Sequence, residues 1–77
     1  MNGIKKIVRG SRIEAPQSDR YYLKKGIVAF QLVEITFSFF GRVITETYDT
    51  KILKDNRQLI IGGDGFIKND LDITYIK

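Results

Sequence analysis

The choice of apolar residues is the feature that most constrains the fold of this chain. Of its 77 residues, twelve are Ile, four are Val and five are Thr, whereas Ala occurs only at Ala15 and Ala29. β-Branched side chains are stiff at their first torsion angle and pack well on a pleated surface, while Ala is the strongest helix former. The composition therefore predicts a body built mostly of β-sheet.

The short length limits how this body can be stabilised. A chain of this size buries only about 60% of the surface that its unfolded form exposes, so a single core is marginal. The sequence contains neither Cys nor His, which excludes disulfides, thiolate metal sites and the usual zinc ligand sets. Close packing or self-association must then provide stability, and we expect the chain to associate with a second copy or with another protein.

The basic residues are concentrated in the first third of the chain. Residues 1–25 hold seven Lys or Arg against two acidic residues, a balance of +5, whereas residues 26–77 sum to −1. We interpret 1–77 as a single domain that joins a basic N-terminal segment, 1–25, to an antiparallel β body, 26–77. Such a segment favours nucleic acid or an acidic protein as partner. The residues that we expect to bind it are Lys5, Lys6, Arg9, Arg12, Arg20, Tyr21, Tyr22, Lys24 and Lys25.

Two interpretations remain open for each half of the basic segment. Residues 2–16 fit either a helix that stops at Gly10 or a charged edge strand, and Pro16 ends whichever forms. Residues 18–25 predict a short helix capped by Ser18 and followed by Gly26, with a strand as the alternative.

The strongest strand signal lies between Gly26 and Phe40. One face of this strand is expected to carry Ile27, Ala29, Val33, Ile35, Phe37 and Phe39. The opposite face begins with Val28, Phe30 and Leu32, so its first half should also be covered. Because fifteen residues exceed the usual strand length, we expect a bend or a bulge.

Turn residues divide the rest of the chain. Gly41 should turn or kink it, residues 55–56 fit a two-residue hairpin turn, and reversals follow at 62–65 and 69–70. Short strands are expected to open at Phe66 and to run from Leu71 to Ile76. The sequence thus predicts a mainly β (small α+β) fold. It would be an antiparallel meander or half-open small barrel of four or five strands, with one short N-terminal helix or basic arm.

Three other residue groups could suggest a phosphate site, a metal site or an acid–base pair, but turns and surface alternation explain them. The Gly-rich residues 62–65 could cradle phosphate, but they open into a strand signal and not into a helix, so a turn explains them. The carboxylates of Asp64, Asp70 and Asp72 do not have the spacing of a calcium loop. Glu34 and Glu46 are explained by surface alternation and not by acid–base chemistry. We expect no catalytic residue, metal, cofactor or small-molecule substrate.

An aromatic cluster beside Gly41 provides a second candidate surface. We expect a sheet this small to leave some of its phenylalanines uncovered, and exposed aromatic residues or an unpaired edge form docking surfaces. The expected protein interface consists of Phe37, Phe39, Phe40, Arg42 and Val43.

These features favour a small non-enzymatic protein-interaction module, an accessory or inhibitor protein that binds through a β-edge, its aromatic residues and the basic segment. The alternative is a small β-barrel that binds nucleic acid through the basic segment. The sequence has neither a secretory pattern nor an apolar run of about 20 residues, so we expect a soluble cytoplasmic protein without a membrane partner.

Overall fold

The computed structural model describes residues 3–63, 65, 67 and 69–76. Its elements are β1 (Gly3–Glu14), α1 (Arg20–Lys25), β2 (Ile27–Phe39), β3 (Arg42–Leu53) and β4 (Gln58–Gly63). The strands form one antiparallel sheet in the order β1-β2-β3-β4. This confirms the predicted antiparallel meander. The sheet is open, because β1 and β4 are its two edges and do not pair with each other.

Strand β2 follows the alternation of its sequence. Val33 and Ile35 are fully buried on one face of the sheet, which we call the covered face. The predicted irregularity occurs as a register shift at Val28. The other face, here the open face, was expected to be covered near Leu32, but the Leu32 side chain is 54% exposed. That expectation was wrong because no described element lies over this part of the sheet.

Two turns set the lengths of the central strands. Phe40 (φ 48°) and Gly41 (φ 77°) form a two-residue turn between β2 and β3. The turn between β3 and β4 was predicted to consist of Asp55 and Asn56, but it is longer. The Leu53 N–H donates to the Arg57 carbonyl at 2.9 Å, and only Asn56 within the loop has a positive φ, of 69°. This geometry fits a three-residue hairpin loop with one left-handed residue.

The basic segment contributes one strand and one helix. Gly3–Glu14 form the edge strand β1, so of the two interpretations for this part of the chain the strand is confirmed. The predicted helix forms as α1, but its cap is Asp19 and not Ser18, because the Asp19 side chain accepts a hydrogen bond from the Tyr21 N–H. Gly26 ends the helix in the left-handed conformation, as predicted.

The C-terminal segment, residues 69–76, packs beside β4. Turn residue Asp70 confirms the reversal at 69–70, but the predicted final strand is reduced to one bridge between Leu59 and Asp72. The predicted strand start at Phe66 lies outside the described residues. Ile73 is fully buried and joins the core cluster of the covered face. The other buried members of that cluster are Ile7, Val33, Ile35, Phe37, Tyr48 and Ile60.

Candidate functional site

The tip of the β2–β3 hairpin carries an exposed aromatic residue in a strained conformation. The Phe40 side chain is 85% exposed and Val43 is 69% exposed. The rings of Phe39 and Phe40 meet edge to face, with 5.8 Å between their centroids. A positive φ is a genuine outlier for a bulky side chain, since Gly and Asn are the residues that adopt it readily. The tip therefore presents apolar surface at a position where a small polar residue would be more stable.

Strand pairing brings two predicted basic residues to this tip. Gly3 lies opposite Ser38, Ile4 opposite Phe37 and Lys6 opposite Thr36, with Lys5 at a register shift between them. The tip surface, as we define it, comprises Lys5, Lys6, Phe39, Phe40, Arg42 and Val43. It contains three cations, and residues 3–8 and 36–45 include no acidic residue. Lys6, opposite Thr36, lies on the open face and Arg42, opposite Phe39, on the covered face, so cations lie on both sides of the apolar tip.

A groove on the covered face adjoins the tip surface. Its volume is about 480 Å³, and its lining residues include Ile4, Phe37, Ile67, Asp70 and Leu71. Phe37 was expected at the protein interface, but its side chain is 8% exposed and belongs to the core. Its ring forms part of the groove wall, so Phe37 shapes this surface without protruding from it.

The predicted β-edge lies elsewhere in the sheet. Strands β2 and β3, which flank the tip, are the two inner strands, and the expectation of an edge at Phe37–Val43 was therefore wrong. The edge at β4 is covered by the C-terminal segment, since the Ile60 N–H donates to the Leu71 carbonyl and the Ile73 N–H to the Gln58 carbonyl. The edge at β1 has no backbone partner among the described residues, but its lysines and register shifts are typical of edges protected against strand addition.

Two basic residues of β1 are occupied within the fold. Arg9 donates from Nε to the Gln58 side chain at 2.9 Å and from Nη2 to the carbonyls of Ile73 and Ile76. Arg12 forms an ion pair with Glu14 at 2.7 Å. The basic segment is therefore divided: Lys5 and Lys6 lie near the tip, whereas Arg9 contacts the C-terminal segment and Arg12 is paired with Glu14.

The remaining predicted residues lie at the opposite end of the molecule, on and around α1. The Tyr22 ring packs edge to face against Phe30 with 5.5 Å between centroids. A cleft of about 530 Å³ lies here between α1 and the open face. It is lined by Asp19, Tyr21, Tyr22, Ile27, Phe30, Lys51 and Ile61. We call this region, with Arg20, Lys24, Lys25 and Lys54, the helix end.

Sequence reasoning missed Phe30, Lys51 and Lys54 as members of the helix end. Phe30 pairs with Lys51 across β2 and β3, and the Lys54 N–H donates to the Gly26 carbonyl at 2.9 Å. These contacts join positions more than twenty residues apart. The sequence does show that Phe30 and Ala29 lie on opposite faces of β2. It does not show which residue of β3 pairs with Phe30, because the register of β3 depends on the tertiary structure.

The acidic residues that the structure describes are separated from one another. Glu34 lies opposite Thr47 and Glu46 opposite Ile35, so alternation places the two carboxylates on different faces of the sheet. Hydrogen bonds from the Thr74 hydroxyl and from the Thr74 N–H lower the pKa of Asp72. Asp64 lies outside the described residues, and within the part of the chain that is described no three His, Cys, Asp or Glu residues are grouped for a metal.

Comparisons with protein-family models, with curated proteins and with solved structures gave no significant match. None of the described helices has the length and apolar character needed to cross a bilayer.

Proposed function

We propose that this chain is a non-enzymatic protein-interaction module that binds its partner through the tip surface. The observation that carries this proposal is Phe40, whose large apolar side chain is exposed in a left-handed backbone conformation at a turn. The cytoplasmic location expected from the sequence is part of the proposal. No catalytic step, cofactor or metal is assigned.

The energetics of Phe40 favour a binding role over a structural one. The left-handed conformation costs about 1 kcal/mol for a residue with a Cβ atom. Exposure of the ring forgoes the roughly 1.5–3 kcal/mol that burial of a Phe side chain contributes. The backbone strain and the exposure of the ring both make the isolated fold less stable. Burial of the ring by a partner recovers the second contribution and thereby offsets the first. Strained residues of this kind are concentrated at ligand contacts.

The surroundings of Phe40 define the chemistry of the partner. Lys5, Lys6 and Arg42 flank the apolar centre, so an acidic rim on the partner complements them and speeds association. The neighbouring groove between Ile4 and Leu71 offers a place for an apolar side chain of the partner. We therefore expect a protein surface with an apolar pocket, an apolar knob and acidic residues around them.

The substitution Phe40→Asn tests this proposal. Asn tolerates the left-handed conformation, so the variant should be as stable as the wild type or up to about 1 kcal/mol more stable. Loss of a buried ring worth about 2 kcal/mol should weaken partner binding roughly thirtyfold. The measurement is affinity capture from an extract of cells that make the protein, with captured proteins quantified for each variant, beside urea denaturation of the same samples.

Tyr75→Asn is the matched control, because Tyr75 is an equally exposed aromatic residue, at 88%, outside the tip surface. A specific partner should be captured by the wild type and by Tyr75→Asn but not by Phe40→Asn. Equal capture by all three proteins would contradict the proposal. If light scattering shows an oligomer that Phe40→Asn dissociates, then the partner at the tip is a second copy of the chain.

A further inference from the structure

We propose that the helix end binds single-stranded nucleic acid, independently of the tip surface. The cleft between α1 and the open face is walled by aromatic rings and has a lysine at its margin. Its volume of about 530 Å³ falls within the roughly 300–1,000 Å³ of ordinary ligand sites. Neither predicted surface included this combination of residues, because it forms only when β3 pairs with β2.

The aromatic residues of the cleft offer flat apolar surface to a base. Tyr21 is 58% exposed, and the Lys25 ammonium lies 5.8 Å from the centroid of its ring. Tyr22 and Phe30 are half-buried and hold each other edge to face. The Tyr21 ring also meets the Tyr22 ring edge to face, with 5.5 Å between their centroids, so Tyr22 and Phe30 support it from below while more than half of Tyr21 stays open to a base. Stacking of a base on a protein aromatic ring is tolerant of sequence, since every base has a π face.

The charges of the helix end select a polyanion. Arg20 and Lys24 lie one helical turn apart on α1, as do Tyr21 and Lys25, which places the helix cations beside the exposed ring. Together with Lys51 and Lys54 they make five cations at this end. Within the described residues, none of the five forms an ion pair.

The acidic residues nearby leave this positive charge largely uncompensated. Glu14 and Asp55 are already paired with Arg12 and Arg57, and the Asp19 carboxylate caps α1 through the Tyr21 N–H. Asp49, two residues before Lys51 on the same face, marks the boundary of the positive region. A phosphate backbone would therefore run along the side of Lys24, Lys25, Lys51 and Lys54, with one base against Tyr21.

A single strand fits this arrangement better than a duplex or an acidic protein. Base faces are accessible only in a single strand, and the site combines stacking surface with regularly placed cations. A duplex would use the cations alone, and an acidic peptide would leave the rings unused. These two occupants therefore serve as outcomes that would overturn the proposal.

The test is fluorescence anisotropy of a labelled 15-nucleotide oligo-dT and oligo-U with the full chain, over a series of salt concentrations. Contacts of four lysines with phosphates predict a slope of log affinity against log salt of about −2.8 for a single strand. Lys51→Gln should reduce the magnitude of that slope by about 0.7. Tyr21→Ala should weaken binding about tenfold with little change in slope, because it removes stacking and not charge.

Arg42→Gln is the matched control for Lys51→Gln. Both substitutions remove one positive charge from β3, but Arg42 lies nine residues away, about 30 Å along the strand. Unchanged binding in Arg42→Gln and a reduced slope in Lys51→Gln would support the proposal. It would be overturned by no binding at low salt, by equal losses in the two variants, or by full binding in Tyr21→Ala. It would also be overturned if a 15-base-pair duplex bound as tightly as oligo-dT. Displacement of the labelled strand by poly-Glu as effectively as by unlabelled oligo-dT would overturn it as well. Circular dichroism of each variant confirms that the fold is intact.

Discussion

At the scale of single residues, the packing of Tyr48 depends on a position without a side chain. Tyr48 is almost fully buried, and its hydroxyl donates a hydrogen bond to Glu46 Oε2 at 2.5 Å. Gly63 lies opposite it on β4, with φ 138°, and a Cβ atom there would come within 2.5 Å of Tyr48 Cδ1. The aromatic ring thus occupies the space that any other residue at position 63 would need.

The substitution Gly63→Ala should therefore destabilise the fold by about 2 kcal/mol, from the combined clash and backbone strain. Urea denaturation measures this change in the free energy of unfolding. Gly62→Ala is the matched control, because a Cβ atom at Gly62 meets only Asp49 Oδ2 at an ordinary 3.7 Å. The control should change stability by less than about 0.5 kcal/mol. Equal effects of the two substitutions would show that Tyr48 does not depend on the gap at Gly63.

At the scale of elements, the C-terminal segment is held by side chains as well as by backbone hydrogen bonds to β4. Arg9 reaches from β1 to the carbonyls of Ile73 and Ile76 at 3.0 and 3.1 Å. The Thr74 hydroxyl donates to Asp72 and accepts from the Gln58 N–H at 2.8 Å. Asp72 therefore orients the hydroxyl that ties this segment to the start of β4.

This contact predicts a pH dependence. The Thr74 hydrogen bonds lower the folded-state pKa of Asp72 below its ordinary value of 3.8, so the ionised carboxylate stabilises the fold. That stability is fully present above pH 3.8 and is lost as the pH falls through the lower folded-state pKa. The wild type should exceed Asp72→Asn in unfolding free energy at pH 7, and the difference should shrink as the pH falls below 3.8. Urea denaturation at several pH values measures it.

Thr74→Val provides the control for this mechanism, since the Thr74 hydroxyl is the largest cause of the lowered pKa of Asp72. In that background, Asp72→Asn should have a smaller effect at pH 7. An undiminished effect would mean that Asp72 acts through some other group.

At the scale of the whole molecule, the two proposed surfaces lie at opposite ends of a protein that measures 47 × 19 × 18 Å. Phe40 follows the last residue of β2, and the helix end lies beside the first residues of β2. The strand between them spans about 40 Å at roughly 3.3 Å per residue. Partner binding at one end therefore leaves the other end accessible.

Independence of the two ends is the prediction at this scale. The double variant Phe40→Asn/Lys51→Gln should lose partner capture as Phe40→Asn does and oligonucleotide affinity as Lys51→Gln does. For each ligand, the effect of the double variant on the binding free energy should equal the sum of the two single effects within about 0.5 kcal/mol. The measurements are the capture and anisotropy experiments described above, made on both single variants and the double variant. A larger coupling would show that the sheet transmits a change between its ends.

Several elements could be predicted because their signals are local. The apolar alternation of β2, the turn at Gly41 and the helix before Gly26 each depend on neighbouring residues. The β1 region remained ambiguous between helix and strand, because its charges and apolar residues satisfy both periods. Its pairing with β2 decides the matter, since Ile7 is buried opposite Ile35.

The sequence by itself determined a mainly β fold, turns at Gly41, near 55–56 and at 69–70, and the excess of positive charge near the N-terminus. These features depend on torsional preferences and charges of residues that are close in sequence, so they can be predicted without knowing which strands pair. The turn expected at 62–65 begins later than predicted, because Gly62 and Gly63 belong to β4. Only the tertiary structure decided that Lys5 and Lys6 join Phe40 at one end while Lys51 joins Tyr21 at the other. Register between distant strands causes this division, because a shift of one residue moves a side chain to the opposite face.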